Sequence, residues 1–306
     1  MILCAGEILA DMIGSVRDGG FVYESKAGGA PFNVACAAKR FGARVCFAGS
    51  VGDDLIGAFL EEFAKRRELD GLILNRDRER NTTLAFVQLD EKGERSYCFY
   101  RKNTADYHLP EIGDPLLREA DIVHIGSLML SEDAGREYAE KLAVRAHAFG
   151  KTVSFDVNFR TDIFRDTESA LTIYRRIIRH ADIVKFSEDE VEIFGEKYLE
   201  TLSDKLVCVT LGGAGSEWRR GGKGEKVATI PVTPVDTTGA GDAFYAGFLS
   251  RLDSVKKEKW TDGFLSDALL FGNLCGALNT QGKGAIDSLP SLEQVKACFA
   301  EYKAKR

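Results

Sequence analysis

The sequence predicts an α/β fold: a doubly wound, mostly parallel sheet with helices on both faces and a small β-sheet lid projecting from it. Three observations carry this. Short β-rich runs alternate with helical patterns over most of the 306 residues. Several of those runs are continuously apolar, as strands covered on both faces should be. Two segments with polar turns break the alternation.

Taken in order, the predicted strands of the main sheet are 2–5, 45–49, 122–125, 152–156, 183–186 and 206–210. Helical patterns fall between them at 31–41, 55–68, 132–149 and 166–179. In such sheets ligands sit beyond the carboxyl ends of the strands. Residues 82–89 and 95–100 read as a hairpin turned by Asp90-Glu91-Lys92-Gly93-Glu94, and 12–26 as an extended pair turned at Asp18-Gly19-Gly20. These pieces do not fit a βαβ series. They suit a lid over a site or a subunit interface, or else an edge extension of the main sheet. A β-like, Pro-containing run at 227–235 leads into a further helix. The basic tail Tyr302-Lys303-Ala304-Lys305-Arg306 is a solvated helix end, where cations suit the dipole.

Composition narrows the function. With 44% hydrophobic and 29% charged residues the chain is globular, which excludes disordered and collagen-like classes. Lys and Arg number 41 against 47 Asp and Glu, a formal charge of −6. That balance disfavours broad, salt-driven nucleic-acid binding but leaves room for a local anion pocket. The N-terminus lacks a basic n-region and meets Glu7 and Asp11 early, so no signal peptide is expected. No apolar run approaches the ~18 residues of a membrane span. The seven cysteines stand singly, without a C-x-x-C pair, which fits a reducing cytoplasm. Asn81-Thr82-Thr83 is a chance glycosylation triplet in that setting. His108, His124, His147 and His180 have no metal-ligand spacing.

The most informative stretch is Asp236-Thr237-Thr238-Gly239-Ala240-Gly241-Asp242-Ala243-Phe244. Apolar residues at 240, 243, 244, 247 and 248 follow helical spacing, so a Gly-rich turn opens a helix. The first amides of a helix have no partner within it, and the dipole favours an anion there. Gly239 and Gly241 let a phosphate approach the backbone, and Asp242 falls in the first turn beside it. A carboxylate so placed can take a proton from an attacking hydroxyl. The plainer reading is a capped helix start. There is no G-x-x-x-x-G-K-[ST] loop, and Phe244 stands where a G-x-G-x-x-G motif needs its third glycine. A second segment, Ala27-Gly28-Gly29-Ala30-Pro31-Phe32-Asn33-Val34-Ala35, puts Pro31 and Asn33 in a first turn, with Gly42 and Gly52 downstream. By itself it reads equally as an ordinary glycine-rich entry to a helix.

Together these two segments resemble the motifs of the PfkB (ribokinase-like) family of carbohydrate kinases, in residue type, spacing and order, and the resemblance spans nearly the whole chain. It implies one kinase domain over 1–306, with lid strands from about 12–26 and 82–106 that commonly also form a homodimer. It implies transfer of the ATP γ-phosphoryl group to a sugar hydroxyl. Asp242 would be the base, and the amides of Gly239, Ala240, Gly241 and Asp242 the anion hole. Asp11, Gly28, Gly29 and Asn33 would line the acceptor pocket. Thr210, Gly212 and Gly215, in Thr210-Leu211-Gly212-Gly213-Ala214-Gly215, would lie near the nucleotide. Asn273 and Gly282-Lys283-Gly284-Ala285 would wall the adenine side. Ser187 stands where many members have Asn, and Glu190 keeps the acidic position expected to act on Mg²⁺ through water; a solvated first helical turn is the alternative for this acidic run. A monovalent cation such as K⁺ would sit near the Asp236 and Thr238 carbonyls.

The block Gly28-Gly29-Ala30-Pro31-Phe32-Asn33, the segment Phe99-Tyr100-Arg101-Lys102-Asn103-Thr104-Ala105-Asp106, and Asp156-Val157-Asn158-Phe159-Arg160 look most like fructokinases. Arg101 and Arg160 read as bare guanidinium donors for sugar hydroxyls or a phosphate, or as surface ion pairs. A 2-keto-3-deoxygluconate kinase, which needs an arginine for the acceptor carboxylate, and a ribokinase are the alternatives within the class. A sugar- or nucleotide-binding regulator without turnover is the alternative outside it.

Overall fold

The computed structural model describes residues 1–89 and 95–304. Its main sheet has nine strands: β1 (Ile2–Ala5), β4 (Val45–Gly52), β5 (Gly71–Asp77), β8 (Ile122–Ile125), β9 (Thr152–Asp156), β10 (Ile183–Ser187), β11 (Leu206–Thr210), β12 (Ser216–Arg220) and β13 (Lys223–Val227). Their order is β13-β12-β11-β10-β9-β8-β1-β4-β5, parallel except where β12 pairs antiparallel with β11 and β13. The second sheet, β3-β2-β6-β7, is separate and not an edge extension. It is made of β2 (Leu9–Arg17), β3 (Gly20–Gly28), β6 (Leu84–Leu89) and β7 (Arg95–Tyr100). The helices are α1 (Ala30–Arg40), α2 (Leu55–Lys65), α3 (Asp114–Glu119), α4 (Asp133–Ala148), α5 (Thr167–Ile178), α6 (Glu188–Phe194), α7 (Glu196–Glu200), α8 (Ala240–Asp253), α9 (Asp262–Asn279) and α10 (Leu292–Ala304). Among the described residues no helix is long and apolar enough to cross a membrane.

Period-two alternation divides the main sheet between two cores. Ile2 and Cys4 face the cluster built with α1, α8 and α9, whereas Leu3 and Ala5 face the cluster built with α4 and α5. In β10 the same parity puts Ile183 on the α8 side and Val184 and Phe186 on the other. Lys185 shares the parity of Ile183, so it lies beneath α8, where its ammonium sits 5.9 Å from the Tyr245 ring centroid. The sheet is wound in both directions from β1, which pairs with β4 on one side and β8 on the other. The carboxyl ends at that switch open the crevice in which such folds bind ligands.

The turn joining β2 and β3 is the two-residue loop Asp18-Gly19, with φ of 50° and 77°. Both positive values are what a two-residue hairpin needs, and Asp and Gly tolerate them. The 90–94 turn predicted between β6 and β7 lies outside the described residues. One sequence expectation is corrected, and one strand was not expected. Residues 228–235 form no strand; the β structure before them is the β12–β13 hairpin, turned at Gly221-Gly222 with φ of 60° and 74°. The edge strand β5, half-exposed and polar at its end, carries too weak an apolar signal to be read from sequence.

Candidate functional site

Two helix N-termini meet at the crevice, and glycine makes both possible. Gly239 precedes α8 with φ 72°, and a Cβ there would lie 2.5 Å from that of Ala285. Gly29 precedes α1 with φ 109°, and a Cβ there would lie 2.4 Å from the Glu7 carbonyl oxygen. Neither helix has a side-chain cap. Asn33, one turn into α1, donates from Nδ2 to Oδ2 of Asp242, one turn into α8, at 2.8 Å. Residues 209 positions apart are thus locked together by one hydrogen bond.

Burial pushes the Asp242 carboxyl up to about 6, against the opposing pull of the Asn33 amide; Asp156 adds to the rise, and Lys185 and Arg160 oppose it. A carboxylate with that proton affinity is ionised at neutral pH yet basic enough to share a proton. Asp11 of β2 reaches across Gly28: a Cβ on Gly28 would sit 2.2 Å from Asp11 Oδ2. Asp11 thus meets Gly28, and Asn33 meets Asp242, at the crevice.

On the other side of the α8 start lies a cleft of ≈ 420 Å³. Thr210, Gly212, Gly215 and Asn273 line it together with Ala240 and Gly241. Gly215, with φ 107°, passes so close to β13 that a Cβ would fall 2.1 Å from the Val227 carbonyl oxygen. The Asn273 amide is committed to that same carbonyl, donating at 2.8 Å, so it fixes the cleft wall rather than extending into it. Beside the cleft, Asp236 accepts from the Thr238 amide (2.8 Å) and hydroxyl (2.6 Å) and from the Gly284 amide (2.9 Å). The Thr238 carbonyl accepts from Asn279 at 3.2 Å. Asp236 thereby ties the loop before α8 to the 282–285 segment that packs on Gly239.

Two expectations change. Arg101 is not a bare donor. Its side chain is 1% exposed and paired with Asp106 (Nη2, 2.7 Å; Nε, 2.8 Å), with Tyr107 Oη (2.8 Å), Ser131 Oγ (3.1 Å) and the Leu128 carbonyl. A buried guanidinium must be paired, and Asp106 supplies the partner. Thr83 and Thr104 also donate to Asp106, at 2.6 and 2.7 Å, so the feet of β6 and β7 converge on one ionic node. Second, Ser187 and Glu190 cap α6. Ser187 Oγ accepts from the Glu190 amide (3.2 Å), and Glu190 accepts from the amides of Ser187 (2.7 Å) and Phe159 (2.6 Å). Glu190 is buried, with both oxygens turned onto backbone. Glu7, which in the sequence counted only against a signal peptide, is fully buried just past β1; burial raises its carboxyl to about 8, with Arg101 opposing. Arg160 stays near the site: it donates to the Phe159 carbonyl at 3.2 Å and its charge reaches Asp242.

Sequence reasoning missed Lys185 and Asp156, a buried ion pair at 2.8 and 2.9 Å beside Asp242. The available signal was a lysine inside the apolar run Ile183-Val184-Lys185-Phe186. Among the described residues no group of three or more His, Cys, Asp or Glu side chains could hold a metal ion. Glu190 spends both carboxylate oxygens on backbone amides, so a divalent ion beside it would be reached through water.

A base beside a glycine-opened helix, with a nucleotide-sized cleft along the same helix start, is the arrangement of a phosphotransferase of the α/β class. The chain belongs to the pfkB family carbohydrate kinases, whose family model matches residues 1–292. It is 34% identical to a probable fructokinase-7 of Arabidopsis thaliana, over 97% of this chain and 91% of the plant protein. Its fold is similar to that of a fructokinase from Xylella fastidiosa with bound ATP: TM-score 0.92, 30% identity, 99% and 98% of the two chains covered. It is also similar to a Vibrio cholerae fructokinase in a fructose-, ADP- and calcium-bound form: TM-score 0.86, 32% identity, 97% of each chain.

Proposed function

We propose that this protein is an ATP-dependent fructokinase that converts fructose to fructose 6-phosphate. The observation that carries the reading is the Asn33–Asp242 hydrogen bond, which sets a base of raised proton affinity between the Asp11–Gly28 wall and the uncapped start of α8. Its fructokinase relatives supply the acceptor. In the reaction the sugar O6–H bond breaks and its proton passes to Asp242. O6 forms a bond to the γ-phosphorus as the bond to the β-phosphate oxygen breaks, leaving ADP. The amides of 239–242 face the charge on the transferring group. Asp11, Gly28, Gly29 and Asn33 hold the sugar, and the 210–215 and 273–280 walls hold the nucleotide.

Mg²⁺ carried by the ATP phosphates would offset their charge, and Glu190, which fixes the Phe159 and Ser187 amides, would reach it through water. K⁺ is assigned to the 236–238 loop. The second sheet serves as the lid. Leu9 and Ala85 on its inner face pack with Leu128 of the body, which excludes water above the acceptor. Its other face exposes Val16, Phe21, Tyr23 and Tyr100, an apolar surface suited to the same face of a second copy. Five of the seven cysteines are buried as free thiols, in keeping with a reducing cytoplasm. With Arg101 internally paired, Arg160 is the candidate that remains for an acceptor carboxylate.

The test is coupled ADP release with Mg-ATP and K⁺ against fructose, ribose, 2-keto-3-deoxygluconate, tagatose and adenosine. Fructose is expected to lead by kcat/KM, with little ATP hydrolysis in the absence of sugar. Preference for another acceptor moves the substrate and keeps the mechanism. Silence on all five, with ATP bound, favours a regulator.

A further inference from the structure

We propose that the buried Lys185–Asp156 ion pair is a positioning device that sets the charge state of the base Asp242, a role that rests on the kinase reading above. Three observations converge. Asp156 closes β9 and Lys185 lies opposite it in register on β10, both on the α8 face of the sheet. Lys185 Nζ bonds both Asp156 oxygens, at 2.8 and 2.9 Å, and the two side chains are 8% and 4% exposed. A Cβ on Gly241 would lie 3.7 Å from Nζ, so the ammonium sits directly under the first turn of α8.

For stability alone that position is poor. The N-terminal end of a helix is its positive pole and repels a cation. A buried pair is also seldom better than an apolar one of the same volume. Departures from local preference of this kind mark function. What the position does provide is a positive charge and a negative charge, both within reach of Asp242. The groups facing that carboxyl are Asn33 from α1, Glu7 from the end of β1, Asp156 from β9, Arg160 from the following loop and Lys185 from β10, with Glu190 of α6 facing Lys185. Four of these six are carboxylates or an amide that carry no positive charge. Lys185 and Arg160 are the cations that keep Asp242 ionised, and Asp156 offsets Lys185 so that the carboxyl retains its basicity.

The two halves of the pair therefore act in opposite directions. Removing Lys185 leaves the surrounding carboxylates to share one more proton, so Asp242 ionises at higher pH. Removing Asp156 leaves the cation unopposed, and Asp242 ionises at lower pH. The experiment is a titration of the Asp242 carboxyl by ¹³C NMR in sugar-free protein, assigned with Asp242→Asn, together with the acid limb of the kcat–pH profile. Lys185→Met is expected to raise both by about one unit and Asp156→Asn to lower both by a similar amount. The double variant Lys185→Met/Asp156→Leu is expected within ~0.5 unit of the parent, because both effects are removed together.

If Lys185→Met does not fold, Asp156→Asn and the double variant carry the test. Shifts in the same direction, or lost activity with an unmoved titration, would show the pair to be structural and overturn the proposal. The NMR titration needs no acceptor, so it stands or falls separately from the kinase reading. A parent enzyme inactive on every sugar would sink that reading alone.

Discussion

The starts of α6 and α8 stand at the same edge of the main sheet, and both follow segments that the sequence marked for nucleotide or metal. They are built in opposite ways. At α6, Ser187 and Glu190 form a reciprocal capping box, so the orphan amides of the helix are satisfied by its own side chains. At α8, left-handed Gly239 offers no side chain; the Ala240 amide turns back to the Thr237 carbonyl at 3.2 Å, and no side chain caps the amides of Gly241 and Asp242. A capped start is a stability device and an uncapped one a binding device. The distinction depends on which side chains fold back, which residue types alone do not reveal.

That contrast can be broken by substitution. Among variants that spare Asp242, Gly239→Ala should have the largest effect. The left-handed φ and the 2.5 Å approach to Ala285 force the α8 start to move. We expect kcat to fall about 10²–10³-fold, the scale of losing an oxyanion donor, with folding retained. A loss under tenfold would mean that the α8 amides do not contact the transferring group. Asn33→Ala comes next. It removes the hydrogen bond that holds the Asp242 proton affinity down, so the acid limb of the kcat–pH profile, expected near pH 6 in the parent, should move upward. A drop in kcat of roughly tenfold at pH 7 should accompany it; a limb that moves down would contradict the geometry. Ser187→Ala should be the mildest. Losing the cap costs about 1 kcal/mol of stability, read as a lower urea midpoint, with kcat within about twofold of the parent. A large kcat loss without destabilisation would restore Ser187 to the nucleotide site.

Much of this was legible in the sequence because local rules govern it. The six predicted strands of the main sheet are all present, since each is an apolar run whose neighbours carry helical periodicity. Asp18-Gly19 announced its hairpin through turn chemistry. The two glycine-led helix starts could be placed from their motifs, and the fold sets Asp11 against Gly28 and Asn33 against Asp242. What could not be read depends on partners distant in sequence. Arg101 looks like a free donor until Asp106, Tyr107 and Ser131 close around it. Glu7 counts only against a signal peptide until β1 is seen to be central. Lys185 is one residue in an apolar strand, and only the fold shows that its parity turns it beneath α8.

The central claim is that α8 presents a base of raised proton affinity to a bound sugar at a cost in stability, and Asp242→Asn tests it most directly. The folded-state affinity of Asp242 for its proton, about 6, lies above the ordinary value of 3.8. The carboxyl therefore favours the folded chain least when ionised: its contribution is full below pH 4 and is lost as pH rises toward 6. At pH 7 the neutral amide should stabilise the fold by up to about 3 kcal/mol, an upper bound because the Asn33 contact changes partner. The account predicts that kcat with fructose falls at least ~10³-fold while ATP affinity holds and Tm rises. A variant that keeps kcat within tenfold of the parent, or that loses activity only by unfolding at lower temperature, would contradict it.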